Sequence, residues 1–132
     1  MRVRPPQLEG TSVLLVEDDR DVREMIAAGL TWQGASVYAA DCAEAGWRMF
    51  NEAKPRIIVA DLGLPGVDGF QFLKQIRSLP RAEGGATPAV ALTARNTATD
   101  RVNSLNAGFT LHLAKPVDPI ALATVLAALI DR

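Results

Sequence analysis

The sequence predicts an α/β domain built from repeated strand-helix units around a parallel sheet. Short apolar runs alternate five times with segments of helical periodicity. Val13-Leu14-Leu15-Val16, Ile57-Ile58-Val59-Ala60 and Ala89-Val90-Ala91-Leu92 are unbroken apolar runs, as strands covered on both faces require. Several runs stop at polar residues, which is where open α/β sheets place their chemistry.

The elements follow in order. After the first strand, Val22, Met25, Ile26, Gly29 and Leu30 keep the spacing of a helix with one buried face, and Gly34 offers a stop. A second strand lies near Val37-Tyr38-Ala39. Asp41 is then expected to cap the second helix, with Glu44 three residues on and Trp47 and Phe50 beyond, and Pro55 ends that unit. Asp68 caps a third helix carrying Phe72, Leu73, Ile76 and Leu79; Pro80 to Thr87, with Gly84-Gly85, reads as a flexible loop. The fourth helix is expected from Thr97 to before Gly108, thinly apolar, with Ala98, Val102 and Leu105 inward. The fifth strand alternates as an edge strand does, with Phe109, Leu111 and Leu113 on one face and Thr110, His112 and Ala114 on the other. Asp118 and Pro119 open the last helix in the N-cap and N1 pairing, and Leu122, Val125, Leu126, Leu129 and Ile130 form its inner stripe.

The 132 residues suit one domain, and a 48% hydrophobic content with 5% aromatics suits an aliphatic core. The expected organisation is a leader or linker over residues 1–11 and the domain over 12–132. A net charge of -1, without runs of like charge, gives no support for direct nucleic-acid or membrane contact. The single Cys42 excludes an intramolecular disulfide, and with one His there is no zinc set, so a reducing, cytoplasmic setting is expected. No apolar stretch approaches the roughly 20 residues that span a bilayer. Trp32 and Trp47 read as packing or half-exposed surface.

Four strands finish in polar residues: Glu17 and Asp18, Asp61, Thr93, and Lys115. Carboxylates held this close repel by about 4 kcal/mol per pair at 4 Å and an effective dielectric near 20, so a cation or shifted pKa values must offset them. A hard divalent ion, Mg2+ or Mn2+, suits acids with no His or Cys beside them. With Lys115 and the Thr93 hydroxyl it would surround a transferring phosphoryl group, and Asp61 would be its nucleophile.

The chain from about Ser12 to Ile130 resembles the receiver domain of two-component response regulators. The acidic pair, the DxxxPxxDG-like run from Asp61 through Gly69, the Ala91-Leu92-Thr93-Ala94 strand end and Lys115-Pro116 stand in that family's order and at its usual separations. The resemblance implies a flavodoxin-like doubly wound (βα)5 fold with strand order 2-1-3-4-5. It implies that Asp61 is the phosphoacceptor, that Glu17, Asp18, Asp61 and the Gly63 backbone carbonyl hold the metal, that Thr93 is the switch hydroxyl and that Lys115 binds phosphate. Asp19 falls outside the pair and is expected to cap the first helix. The implied partner is a histidine kinase or a histidine phosphotransfer domain. The implied output is a shift in the surface formed by helix four, strand five and helix five, a face that could also form a homodimer. The run from Ala107 to Pro119 is similar to receivers attached to hybrid sensor kinases. The Lys115-Pro116 peptide bond is expected to be cis, since receivers commonly hold it so and Lys115 must turn back across the strand end.

The chain departs from the family at His112, where an aromatic Tyr or Phe usually swings with the hydroxyl. Gly63 and Arg95, each two residues beyond a site residue, occupy positions that vary in the family. A flavodoxin-like cofactor carrier would need a phosphate-cradling first loop, which three acids oppose. An aspartyl phosphatase would want an acid at the position of Gly63. The remaining alternative is a pseudo-receiver, an interaction module that works without phosphorylation.

Overall fold

The computed structural model describes residues 6–94 and 98–131. The expectations placed on Arg95, on Thr97 and on the leader before Pro6 lie outside them. The elements are β1 (Ser12–Val16), α1 (Arg20–Trp32), β2 (Ser36–Ala40), α2 (Ala43–Ala53), β3 (Ile57–Asp61), α3 (Gly69–Arg77), a 3-10 turn at Arg81–Glu83, β4 (Ala89–Thr93), α4 (Ala98–Ala107), β5 (Leu111–Ala114) and α5 (Pro119–Ile130). The five strands are all parallel, in the order β2-β1-β3-β4-β5. This is the flavodoxin-like, doubly wound arrangement.

Alternation along the strands builds two cores. Leu14, Val16, Ile58, Ala60, Ala89 and Ala91 face Phe50 of α2 and Phe72, Leu73 and Ile76 of α3. Val13, Leu15, Ile57, Val59, Val90 and Leu92 face Ile26 and Leu30 of α1 and Leu122, Leu126 and Leu129 of α5. Both faces of the three central strands are therefore dry, which explains their unbroken apolar runs. Leu8, ahead of β1, is also fully buried in the second core, and its N–H donates to the Gln33 carbonyl at 2.8 Å.

Three helix starts follow their caps. Asp19 accepts from the Val22 N–H, Asp68 and Gln71 form a reciprocal capping box, and Asp118 accepts from the Ile120 N–H with Pro119 at the first helical position. Asp41 does not cap α2. The helix begins one residue later than that role requires, with Cys42 at the N-cap and no side-chain capping bond.

Five other expectations are corrected. Met25 is 46% exposed, because α1 meets the sheet through Ile26 and Leu30. Ala98 is exposed, and Val102 and Leu105 also face outward at 54% and 60% exposure; α4 packs through Ser104 and Ala107, small residues that allow close approach. Phe109 precedes β5 and turns into the first core after Gly108, which has a φ of 106°, whereas Leu111 and Leu113 pack against the second core. The segment after α3 is a hydrogen-bonded turn rather than an open loop: the Gly85 N–H donates to Pro80 and its carbonyl accepts from the Arg77 guanidinium, at 3.1 and 3.0 Å. Trp47 is half-buried as expected, but Trp32 is 83% exposed. The Lys115-Pro116 bond is cis.

Gly69 starts α3 directly against β3, and a Cβ there would collide with the Asp61 carbonyl oxygen and press on Leu62 Cα. Those neighbours are backbone and cannot rotate away. Gly69→Ala should lower stability by roughly 1–3 kcal/mol through overpacking, outweighing a helix-propensity gain of at most about 1 kcal/mol. Urea denaturation would measure this, and an Ala variant as stable as wild type would refute the close-approach explanation.

Candidate functional site

All five strands run parallel, so their C-terminal ends share one edge of the sheet. Val16 is in register with Ala60, Asp61 with Leu92, and Thr93 with Ala114. The next residues along β1 and β3, Glu17 and Asp61, therefore stand side by side. Lys115 follows Ala114 at the end of β5, and its backbone N–H donates to the Thr93 carbonyl at 2.8 Å.

The side chains converge accordingly. Lys115 Nζ donates to Asp61 Oδ2 at 3.1 Å and forms an ion pair with Glu17 Oε1. The other Asp61 oxygen, Oδ1, accepts from the Gly63 N–H at 3.0 Å. Glu17 is fully buried, Asp61 and Thr93 are 6% exposed, and Asp18 lies at the surface. Asp61, Gly63, Phe70, Thr93, Asp100 and Lys115 line a cleft of about 210 Å3. A larger depression of about 720 Å3 lies elsewhere, lined by residues including Lys54 and Arg56. There Lys54 Nζ and Arg56 Nη2 donate to the Glu83 and Ile130 carbonyls, a structural use of both cations.

Burial, reinforced by the charge of Asp61, pushes the Glu17 carboxyl up to about 7 against the pull of Lys115 and the Asp19 N–H. Burial alone would lower the Lys115 ammonium, but its contacts with Glu17 and Asp61 outweigh that and hold it above the usual lysine value. Lys115 is therefore charged at neutral pH, and Glu17 holds a proton more readily than an ordinary glutamate.

Glu17, Asp18 and Asp61 each offer an oxygen within 4.8 Å of the others. Three acids against one ammonium leave an excess of negative charge, and the donors are hard oxygens with no thiolate or imidazole among them. This set fits Mg2+ or Mn2+. The Gly63 N–H is engaged by Asp61, while its carbonyl was the group expected at the metal.

His112 is placed by a contact that the sequence did not reveal. Its Nδ1 lies 3.1 Å from Ser104 Oγ, and Ser104, fully buried, donates its one hydroxyl proton to the Arg101 carbonyl at 2.9 Å. With that proton on Arg101, Ser104 accepts from an Nδ1–H, the tautomer in which the buried Nε2, which has no hydrogen-bond partner among the described residues, carries no proton. Phe70 and Asp100 of the cleft also went unseen, because neither belongs to a strand end.

Residues 13–127 match the model of the response regulator receiver domain. The chain belongs to this family. Among curated relatives, this receiver domain is 37% identical over 110 residues to an "Uncharacterized 14.6 kDa protein in sodA1 3'region" of Leptolyngbya boryana, covering 83% of this chain and 82% of that protein. It is 36% identical to the transcriptional regulatory protein AfsQ1 of Streptomyces coelicolor, covering 92% of this chain but only 52% of that protein. Among solved structures, the chemotaxis response regulator CheY4 of Vibrio cholerae superposes with a TM-score of 0.81 at 26% identity, covering 89% of this chain and 97% of that one. No described helix is long and apolar enough to cross a membrane.

The geometry around His112 fixes the sign of a pH effect. Burial, then the charge of Arg101, lower its pKa below the ordinary 6.5, opposed by Asp100. Its strand neighbour on β4, Ala91, carries no charge. Between the lowered folded value and 6.5 the unfolded chain binds the extra proton, so this contribution to stability falls as pH falls through that window. His112→Phe should remove it, and wild type should lose stability relative to the variant on acidification from pH ~7.5 to ~5.5. Parallel pH profiles of the two proteins would contradict a lowered pKa at the half-buried His112.

Proposed function

We propose that this receiver domain accepts a phosphoryl group on Asp61 from the phosphohistidine of a histidine kinase or a histidine phosphotransfer domain. The observation that carries the reading is the Asp61 carboxylate itself: it sits at a buried strand end, held through one oxygen by Lys115 and through the other by the Gly63 N–H, with Glu17 and Asp18 beside it. In the transfer, the phosphorus-nitrogen bond breaks with its electron pair returning to the donor imidazole, and a phosphorus-oxygen bond forms to Asp61.

Glu17, Asp18 and Asp61, with the Gly63 carbonyl, would hold Mg2+ or Mn2+, which when bound neutralises charge on the phosphoryl oxygens. Lys115 already donates to Asp61 and is placed to donate to a phosphoryl oxygen there. Thr93 lines the same cleft and would be the switch hydroxyl. His112 would replace the family's aromatic, tied to α4 through Ser104, so a movement of Thr93 would be felt at the surface of α4, β5 and α5.

On this reading the domain occupies residues 12–132, with Leu8 of the preceding segment packed into its core, works in the cytoplasm, and offers the α4-β5-α5 face to an output partner or a second copy. A place within a hybrid kinase fits as well, and the chain spans about half the length of several curated relatives.

Intact-mass measurement after exposure to a small acyl-phosphate donor tests the proposal. Wild type should gain the mass of one phosphoryl group with Mg2+ and none with a chelator, and Asp61→Asn should gain none. Equal labelling of Asp61→Asn would move the acceptor elsewhere, and no labelling of wild type with Mg2+ would favour a phosphorylation-independent module.

A further inference from the structure

Arg23 lies in the first turn of α1, outside the set that the strand ends supply, yet it is bonded to the acidic loop. Its Nη1 donates to the Glu17 carbonyl at 2.9 Å and to the Asp18 carbonyl at 3.3 Å. Other bonds hold the residues on either side. The Glu17 N–H donates to the Ala40 carbonyl at 3.0 Å, the Asp19 N–H donates to Glu17 Oε2 at 3.2 Å, and Asp19 Oδ1 accepts from the Val22 N–H at 3.0 Å. Asp18, between them, is exposed. Its peptide carbonyl is drawn toward the helix by Arg23, which turns the residue about the loop.

We propose that Arg23 is a positioning residue for the metal site: by holding the Glu17 and Asp18 carbonyls, it sets the direction in which Asp18 presents its carboxylate beside Glu17 and Asp61. The inference rests on the metal reading given above. Two effects of Arg23 oppose each other. Its charge repels a divalent cation, so on charge alone its removal should tighten binding. Its grip on the loop orders a ligand, so on geometry its removal should weaken binding. Arg23 is only half-buried, and solvent and salt screen its long-range charge. Mg2+ demands near-ideal octahedral geometry, and groups that orient ligands matter strongly to its affinity. Geometry should win.

Calorimetric titration of Mg2+ into wild type, Arg23→Gln, Arg23→Lys and Asp18→Asn, each with its metal-free melting temperature, tests this. Arg23→Gln should bind Mg2+ about tenfold more weakly. Arg23→Lys, which keeps the charge and can still donate to a carbonyl, should recover part of the loss, and Asp18→Asn should lose most of the affinity. Equal or tighter binding by Arg23→Gln overturns the inference, as does a lower melting temperature with unchanged affinity, which would mark a purely structural contact. If Arg23→Gln does not fold, Arg23→Met, which cannot donate to either carbonyl, decides, and wild-type affinity in that variant overturns the inference. A wild-type protein that takes up no Mg2+, with Asp18→Asn equally silent, would instead sink the metal reading itself.

Discussion

A single ammonium group, Lys115 Nζ, stands between two buried carboxylates contributed by different strands. Without it, Glu17 and Asp61 would face each other in a poorly hydrated strand-end pocket, where like charges a few ångströms apart repel by several kcal/mol even at an effective dielectric near 20. With it, both carboxylates share one counter-charge, and its pull opposes the burial that pushes Glu17 up to about 7. The parallel sheet is what allows this contact, since it carries the ends of β1, β3 and β5 to one edge. The contact is also what a bound cation would compete with, because both neutralise the same oxygens.

The helices commit unequal apolar surface to the sheet. α1 and α5 bury large aliphatic stripes against the second core, whereas α4 contributes mainly Ser104 and Ala107 and leaves Val102 and Leu105 in solvent. A helix with so little buried apolar area is held more by specific contacts than by the hydrophobic effect, and the Ser104–His112 bond is one such contact. Among the described α-helices, α4 is the one that buries no large apolar side chain, and it lies beside the cleft through Asp100.

The fold and the strand-end cluster were legible in the sequence because both follow from short-range pattern. Unbroken apolar runs identify strands dry on both faces, and a polar residue ending each run must lie on the common edge. The misses have other causes. Asp41 failed as a cap because α2 starts one residue later, a shift that a capping pattern does not resolve. Val102 and Leu105 were assigned inward because they are the apolar residues of α4, yet close packing there needed small side chains instead. The Ser104–His112 bond and the grip of Arg23 on the acidic loop are made by residues that read locally as ordinary surface, Ser104 and Arg23 on helices and His112 on an edge strand. Nothing in their spacing announces a partner.

A double-mutant cycle between Lys115 and Asp61 tests the central interaction most directly. Unfolding free energies would be measured for wild type, Lys115→Met, Asp61→Asn and the double variant, metal-free and at saturating Mg2+. If Lys115 holds the acids together, the metal-free cycle should show a favourable coupling of about 1–3 kcal/mol. Mg2+ should reduce it by taking over the same oxygens. Additive single effects in the metal-free protein would contradict the view that the site is organised around Lys115.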